Sequence, residues 1–190
     1  HRFARQARKV IDEARDQIAD LIGCRAGEIV FTSGGTEGAN NAVLGSVRRH
    51  GGRAVCPSSE HHAVLHCVEH LGGDVVPVAA SGSVDPAVLR EHLSRRDDVT
   101  VVSVMTVNNE TGAITDIEQV SHAVRGRAEN AILHTDAVQA ACWIDLRSIW
   151  PHVDVLTLSA HKFGGPKGMG VMVLREGTTV EPLLFGGGQE

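Results

Sequence analysis

The sequence predicts an α/β protein: a mostly parallel, doubly wound sheet with helices on both faces. Three observations carry this. Short apolar, β-branched runs alternate with amphipathic helical stretches along the chain. Gly, Pro, Asn and Asp signals punctuate the junctions. Repeated strand–helix units require crossovers, and right-handed crossovers cover both faces of a parallel sheet.

The elements follow in order. Phe3, Ala7, Val10, Ile11, Ala14, Ile18, Leu21 and Ile22 recur at three- and four-residue steps, one face of a helix stopped by Gly23. Ile29 to Thr32 reads as a strand, and Ser33-Gly34-Gly35-Thr36 turns into a helix through about Arg49. A strand over 53–56 leads to a helix from His62 to Leu71, closed by Gly72-Gly73. Val75 to Ala79 is a further strand. Asp85-Pro86 supplies a capping carboxylate and a proline at the first helical position, for a helix to about Ser94. Thr100 to Val107 is a β-branched strand, and Asp116 caps a helix to about Arg125. Strands are predicted over 131–135, 153–159 and 170–174; only a Gly-rich turn separates the last two, a spacing open to antiparallel pairing.

Composition narrows the function classes. At 190 residues with 42% hydrophobic and 22% charged, the chain can bury a core without staples. No apolar run approaches the roughly 20 residues of a membrane span, and no basic-then-apolar leader opens the sequence. His1 is not an initiator Met, so the start is read as removed or not included. A net charge of −5 and 3% aromatics disfavour direct nucleic-acid binding, which needs a basic face or a stacking platform. Cys24, Cys56, Cys67 and Cys142 form no Cys-x-x-Cys pair and are read as reduced, mostly buried thiols of a cytoplasmic protein.

Ligands of such sheets bind beyond the carboxyl ends of the strands, so the segments there are the candidates. Thr32-Ser33-Gly34-Gly35-Thr36 opens a helix whose free N–H groups suit an anion; a glycine-rich turn with a cap is the plainer alternative. It matches neither a dinucleotide fingerprint nor a P-loop. Ser58-Ser59-Glu60-His61-His62 places an imidazole at the next strand end, as ligand contact or as cap. His62, His66 and His70 share one helix face, but lack a placed carboxylate; with eleven histidines in the chain they are read as a solvated stripe, and no metal ligands are assigned. Asn108-Asn109-Glu110-Thr111-Gly112 offers amides, or simply a turn. Asp136 emerges from an apolar run and needs a partner such as a protonated ring nitrogen, unless it caps a helix. After the Val153 strand, Ser159-Ala160-His161-Lys162 brings one of only three lysines directly to the same edge. A partly desolvated Lys162 is a nucleophilic amine; Lys167 is read as solvated and Lys9 as surface. An anion cradle, an acid, a lysine and an imidazole together are what pyridoxal 5′-phosphate (PLP) requires.

Six strings carry a more specific resemblance: Thr32-Ser33-Gly34-Gly35-Thr36-Glu37, Glu60-His61, Val107-Asn108-Asn109-Glu110-Thr111-Gly112, His134-Thr135-Asp136-Ala137-Val138-Gln139, Ser159-Ala160-His161-Lys162 and Gly186-Gly187-Gly188-Gln189-Glu190. In this order they resemble the NifS/IscS-type cysteine desulfurases, PLP-dependent enzymes of the class-V aminotransferase family. The resemblance implies a fold type I large domain over residues 1–190, without the C-terminal small domain and a short N-terminal segment. It implies that Lys162 holds PLP through a Schiff base, Asp136 keeps the pyridine nitrogen protonated, and Gln139 bonds the phenolic oxygen. His61 would stack on the ring and handle protons. Gly35, Thr36, Ser159 and His161 would bind the phosphate, and Asn109 would lie near the ring and substrate carboxylate.

The implied reaction converts L-cysteine to L-alanine and passes sulfur to an enzyme cysteine, in a homodimer that serves a sulfur acceptor such as an iron–sulfur scaffold. None of the four cysteines matches the family's nucleophile, which is expected beyond Glu190, so this chain alone is expected not to complete desulfuration. The rival readings are a selenocysteine lyase or an aminotransferase of the same family, a non-catalytic sulfur-trafficking module, and a histidine-stripe metal protein.

Overall fold

The computed structural model describes residues 2–186; His1 and the end of the triple-glycine string, Gly187 to Glu190, lie outside them. Five α-helices, α1 (Arg2–Ile22), α2 (Gly35–His50), α3 (His62–His70), α4 (Pro86–Leu93) and α5 (Ile117–Arg125), alternate with strands among the described residues. The strands are β1 (Ile29–Thr32), β2 (Arg53–Pro57), β3 (Asp74–Val76), β4 (Val99–Ser103), β5 (Ile132–Asp136), β6 (Val155–Ser159) and β7 (Gly170–Leu174). They form one sheet in the order β1-β7-β6-β5-β4-β2-β3. Strands β3, β2, β4, β5 and β6 are parallel, whereas β7 is antiparallel to both β6 and β1. The doubly wound α/β reading is therefore correct, and the short Gly-rich turn does reverse the chain.

Strand alternation sorts the core into two layers. Ala54, Cys56, Val101, Ile132, Val155 and Met172 pack against Ala39, Ala42 and Val43 of α2 and Val64 and Val68 of α3. The intervening residues Val55, Val102, Leu133, Leu156 and Val173 face the opposite way, toward Leu89 and Leu93 of α4, Val120 and Val124 of α5, and Ile22 at the end of α1. Near-continuous apolar strands are what a sheet covered on both sides requires. The predicted caps hold: Asp85 Oδ1 accepts from Ala87 N–H at 2.8 Å and Asp116 Oδ1 from Gln119 N–H at 3.0 Å.

Three expectations need correction. The strand predicted over Val75 to Ala79 spans only Asp74–Val76. The predicted strand 100–107 ends at Ser103. Val104 and Thr106 N–H still donate to His134 O and Asp136 O, but the chain then turns across the sheet end. In α1 the apolar stripe is present, yet only Ala19 and Ile22 are buried; Phe3, Val10, Ile11 and Leu21 are exposed.

Beneath α2 the sheet carries a polar seam. His134 is fully buried, with Ser103 Oγ 2.7 Å from Nδ1 and Thr157 Oγ1 3.1 Å from Nε2. Helix α2 crosses here at Gly38, where a Cβ would lie 3.0 Å from Thr157 Cγ2. Burial pushes the His134 imidazolium pKa down to about 3. An unfolded histidine takes its proton near pH 6.5, so below that the unfolded state binds a proton the folded state refuses. The stabilisation is complete above about pH 6.5 and is lost as pH falls toward about 3, at up to about 1.4 kcal/mol per pH unit. Urea unfolding from neutral to mildly acidic pH should show this slope, and His134→Gln should flatten it; an unchanged slope in the variant would remove His134 as its cause.

Candidate active site

The candidate residues converge at the carboxyl end of the parallel strands, around a cavity of about 410 Å³. Gly35, Thr36, His61, Asn109, Asp136, Gln139, Ser159, His161 and Lys162 all line it, as do Met105 and Lys167. Five separate strand ends supply them, so the sheet brings residues 35 and 162 to one wall.

The anion cradle is the start of α2. Gly34 occupies the cap position and no side chain caps the first turn. The opening N–H groups and the positive end of a 16-residue helix therefore face the cavity without a side-chain partner at the cap. Ser159 ends β6 beside this turn: a Cβ on Gly35 would stand 3.4 Å from Ser159 Cβ. Ser159 Oγ lies 2.9 Å from His161 Nδ1, which joins the hydroxyl and imidazole into one polar group against the cradle.

His61 caps α3. Its Nδ1 accepts from Ala63 N–H at 3.1 Å, so the neutral ring carries its proton on Nε2. Ligand contact and capping, posed as alternatives by the sequence, are compatible uses of the two ring nitrogens. His62, His66 and His70 are exposed on α3, the first two stacked 4.7 Å apart.

The two asparagines divide their work. Buried Asn108 builds the turn: its Oδ1 accepts from Glu110 and Thr111 N–H at 2.9 and 2.8 Å, and its Nδ2 donates to Ser59 O at 2.7 Å. Asn109 is exposed to the cavity.

Asp136 is the buried acid of the site, 5% exposed at the end of β5. Oδ1 accepts from Val138 N–H at 2.9 Å. Burial raises its pKa above the usual carboxylate range; the Val138 amide, the His61 ring and the Lys162 charge oppose that rise. Gln139 Oε1 is buried without a hydrogen-bond partner. Lys162, on the 3-10 turn Ala160–Phe163 that follows β6, is exposed rather than partly desolvated as its position after an apolar strand suggested. Lys167 lines the same cavity and is also exposed.

The family model for class-V aminotransferases matches residues 1–190. The chain belongs to the class-V aminotransferase family. This class-V chain is similar to the cysteine desulfurase IscS of Dictyoglomus turgidum, at 42% identity over 198 residues covering all of this chain and 49% of that protein. It is 43% identical over 202 residues to an IscS-like cysteine desulfurase of Mycobacterium tuberculosis, covering all of this chain and 51% of the relative. A solved NifS-like protein superposes with a TM-score of 0.93 at 34% identity, over all of this chain and 53% of the other. SspA in complex with cysteine gives 0.87 at 34%, over 100% and 56%. The chain spans about half the length of the curated relatives it matches.

The cysteines of the class-V chain do not behave alike. Cys56 and Cys67 are buried and Cys24 is partly so. Burial pushes all three thiols up, Cys24 to about 11 with the help of the Glu28 charge. Cys142 is exposed, contrary to the buried reading, and its Sγ donates to Lys162 O at 3.6 Å. Glu60, quoted in the sequence only as the neighbour of His61, is a second buried acid beside Asp136. The available signal was weaker than for Asp136, which ends its strand: Glu60 follows β2 by two serines and stands beside His61. No helix among the described residues is long and apolar enough to cross a membrane.

Proposed function

We propose that this chain is the PLP-binding large domain of a cytoplasmic cysteine desulfurase that takes sulfur from L-cysteine, leaves L-alanine, and passes the sulfur through an enzyme cysteine to an acceptor such as an iron–sulfur scaffold. The observation that carries the reading is the grouping of an uncapped helix start, a buried carboxyl and a strand-end lysine around one cavity. The cavity volume suits a cofactor-sized ligand. The relatives named cysteine desulfurases agree with it.

When bound, PLP supplies an electron sink for negative charge on the carbon beside the substrate amine. Lys162 Nζ is the amine that holds it covalently. Asp136 keeps a proton on the ring nitrogen by charge and hydrogen bonding. The start of α2 with Ser159 and His161 takes the phosphate, and the Gln139 amide meets the phenolic oxygen. His61 lines the cavity and moves protons through Nε2, while Nδ1 stays tied to Ala63. Asn109 orients the substrate carboxylate. The sulfur acceptor cysteine is none of Cys24, Cys56 and Cys67, whose thiols burial keeps protonated. A homodimer completes the site.

The test is an absorbance titration of the purified chain with PLP, then borohydride trapping and peptide mass mapping. A visible band with the pyridoxyl mass on Lys162, both lost in Lys162→Ala, is the expected result. Label spread over Lys9 and Lys167, or no band, overturns the reading for this chain.

A further inference from the structure

One buried titratable group beside the cavity has no part in the mechanism above. Glu60 lies between β2 and α3 and is 6% exposed. Its Oε1 accepts from Met105 N–H, and its Oε2 is buried with no hydrogen-bond partner. Met105 lines the cavity, and the N–H of the next residue, Thr106, donates to Asp136 O at 3.0 Å. A single stretch of backbone thus ties both acids to the end of the sheet, where β2 and β5 flank β4.

Each carboxyl receives one backbone amide, from Met105 for Glu60 and from Val138 for Asp136. Their surroundings differ in charge. Asp136 is reached by the Lys162 ammonium and by the His61 ring. Glu60 is shifted by Asp136 and not by any cation, and it acts in turn on the buried thiol of Cys56. Two carboxylates side by side in a dry site do not both ionise. The charge settles where cations oppose it, and the proton settles on the other group. An unpartnered buried hydroxyl is also much cheaper than an unpartnered carboxylate oxygen.

We propose that Glu60 and Asp136 form a two-carboxyl unit carrying one negative charge, with the proton on Glu60 Oε2, so that Glu60 is a positioning residue that concentrates the charge on Asp136. Burial and the neighbouring Asp136 both push the Glu60 acid far up, in keeping with this. The oxygen that remains a carbonyl, Oε1, keeps its grip on Met105 at the cavity floor. The benefit to a protonated pyridine ring rests on the PLP reading above, whereas the location of the proton does not.

Infrared spectroscopy of the full chain without cofactor reads the proton directly, because a protonated carboxylic acid has a carbonyl stretch separate from that of a carboxylate. At neutral pH the wild type should show a protonated-acid band that Glu60→Gln loses and Asp136→Asn keeps. Raising the pH should bleach the band, with a midpoint lower by roughly 1 pH unit or more in Asp136→Asn, where the like charge is gone. No such band in the wild type, or a band that Asp136→Asn removes, overturns the proposal. If Glu60→Gln does not fold, the wild type and Asp136→Asn still decide it. Failure of every form to bind PLP would sink the proposed function and leave the infrared result standing.

Discussion

Asp136→Asn should separate cofactor affinity from stability. The carboxyl is almost wholly buried, accepts one backbone hydrogen bond, and sits beside a second buried acid. For folding alone this is a poor place for a negative charge, since desolvation acts against it. Asparagine keeps the shape and an Oδ1 acceptor for Val138 N–H, and it removes the charge. The cofactor-free chain should therefore gain about 1–3 kcal/mol in urea unfolding. PLP loses the anion that would hold its ring proton. A hydrogen bond to a charged group is worth about 1.5–3 kcal/mol, so PLP affinity should fall roughly 10–100-fold by absorbance titration. A variant that is both less stable and equally tight would mean that Asp136 is a structural acid with no role toward the ring.

The grouping of polar residues at the strand ends was legible because the sheet itself was. Once apolar runs and helical stretches alternate, the residues after each run must share an edge, and the residues so collected do line one cavity. What was not legible is how each is held there. Thr100 to Val107 reads as one long strand because β-branched residues continue past Ser103. Buried Asn108 bends the chain through three hydrogen bonds to its Oδ1, which no periodicity reveals. Lys162 follows an apolar strand, yet the 3-10 turn carries it out to solvent. Glu60 passes without a role of its own beside His61 in the sequence, and only the burial of its side chain gives it meaning.

The glycines of this edge should divide into those that serve the fold and those that serve the ligand. Gly170 pairs with Thr32 across the antiparallel β1–β7 junction. A Cβ there would lie 2.6 Å from both Cα and the carbonyl carbon of Gly34 and 2.7 Å from Thr32 Oγ1. Gly34 has no side chain to swing aside, so the backbone of β1 or the start of α2 must move. Overpacking of this kind costs about 1–3 kcal/mol. Because Gly34 caps α2, Gly170→Ala should lower stability and PLP affinity together. At Gly35 the obstacle is different: a Cβ would meet Val138 Cγ2 at 2.7 Å, and otherwise stands at ordinary distance from Ser159 Cβ. A methyl terminus can rotate or shift at a cost of roughly 1 kcal/mol. Gly35→Ala should therefore unfold at nearly the wild-type urea concentration, while its new methyl stands at the anion cradle and weakens PLP binding roughly 10-fold or more. Urea midpoints and PLP titrations on both variants test the division. Equal losses of stability at the two positions would show that the cradle is as rigid as the strand junction, and that Val138 cannot yield.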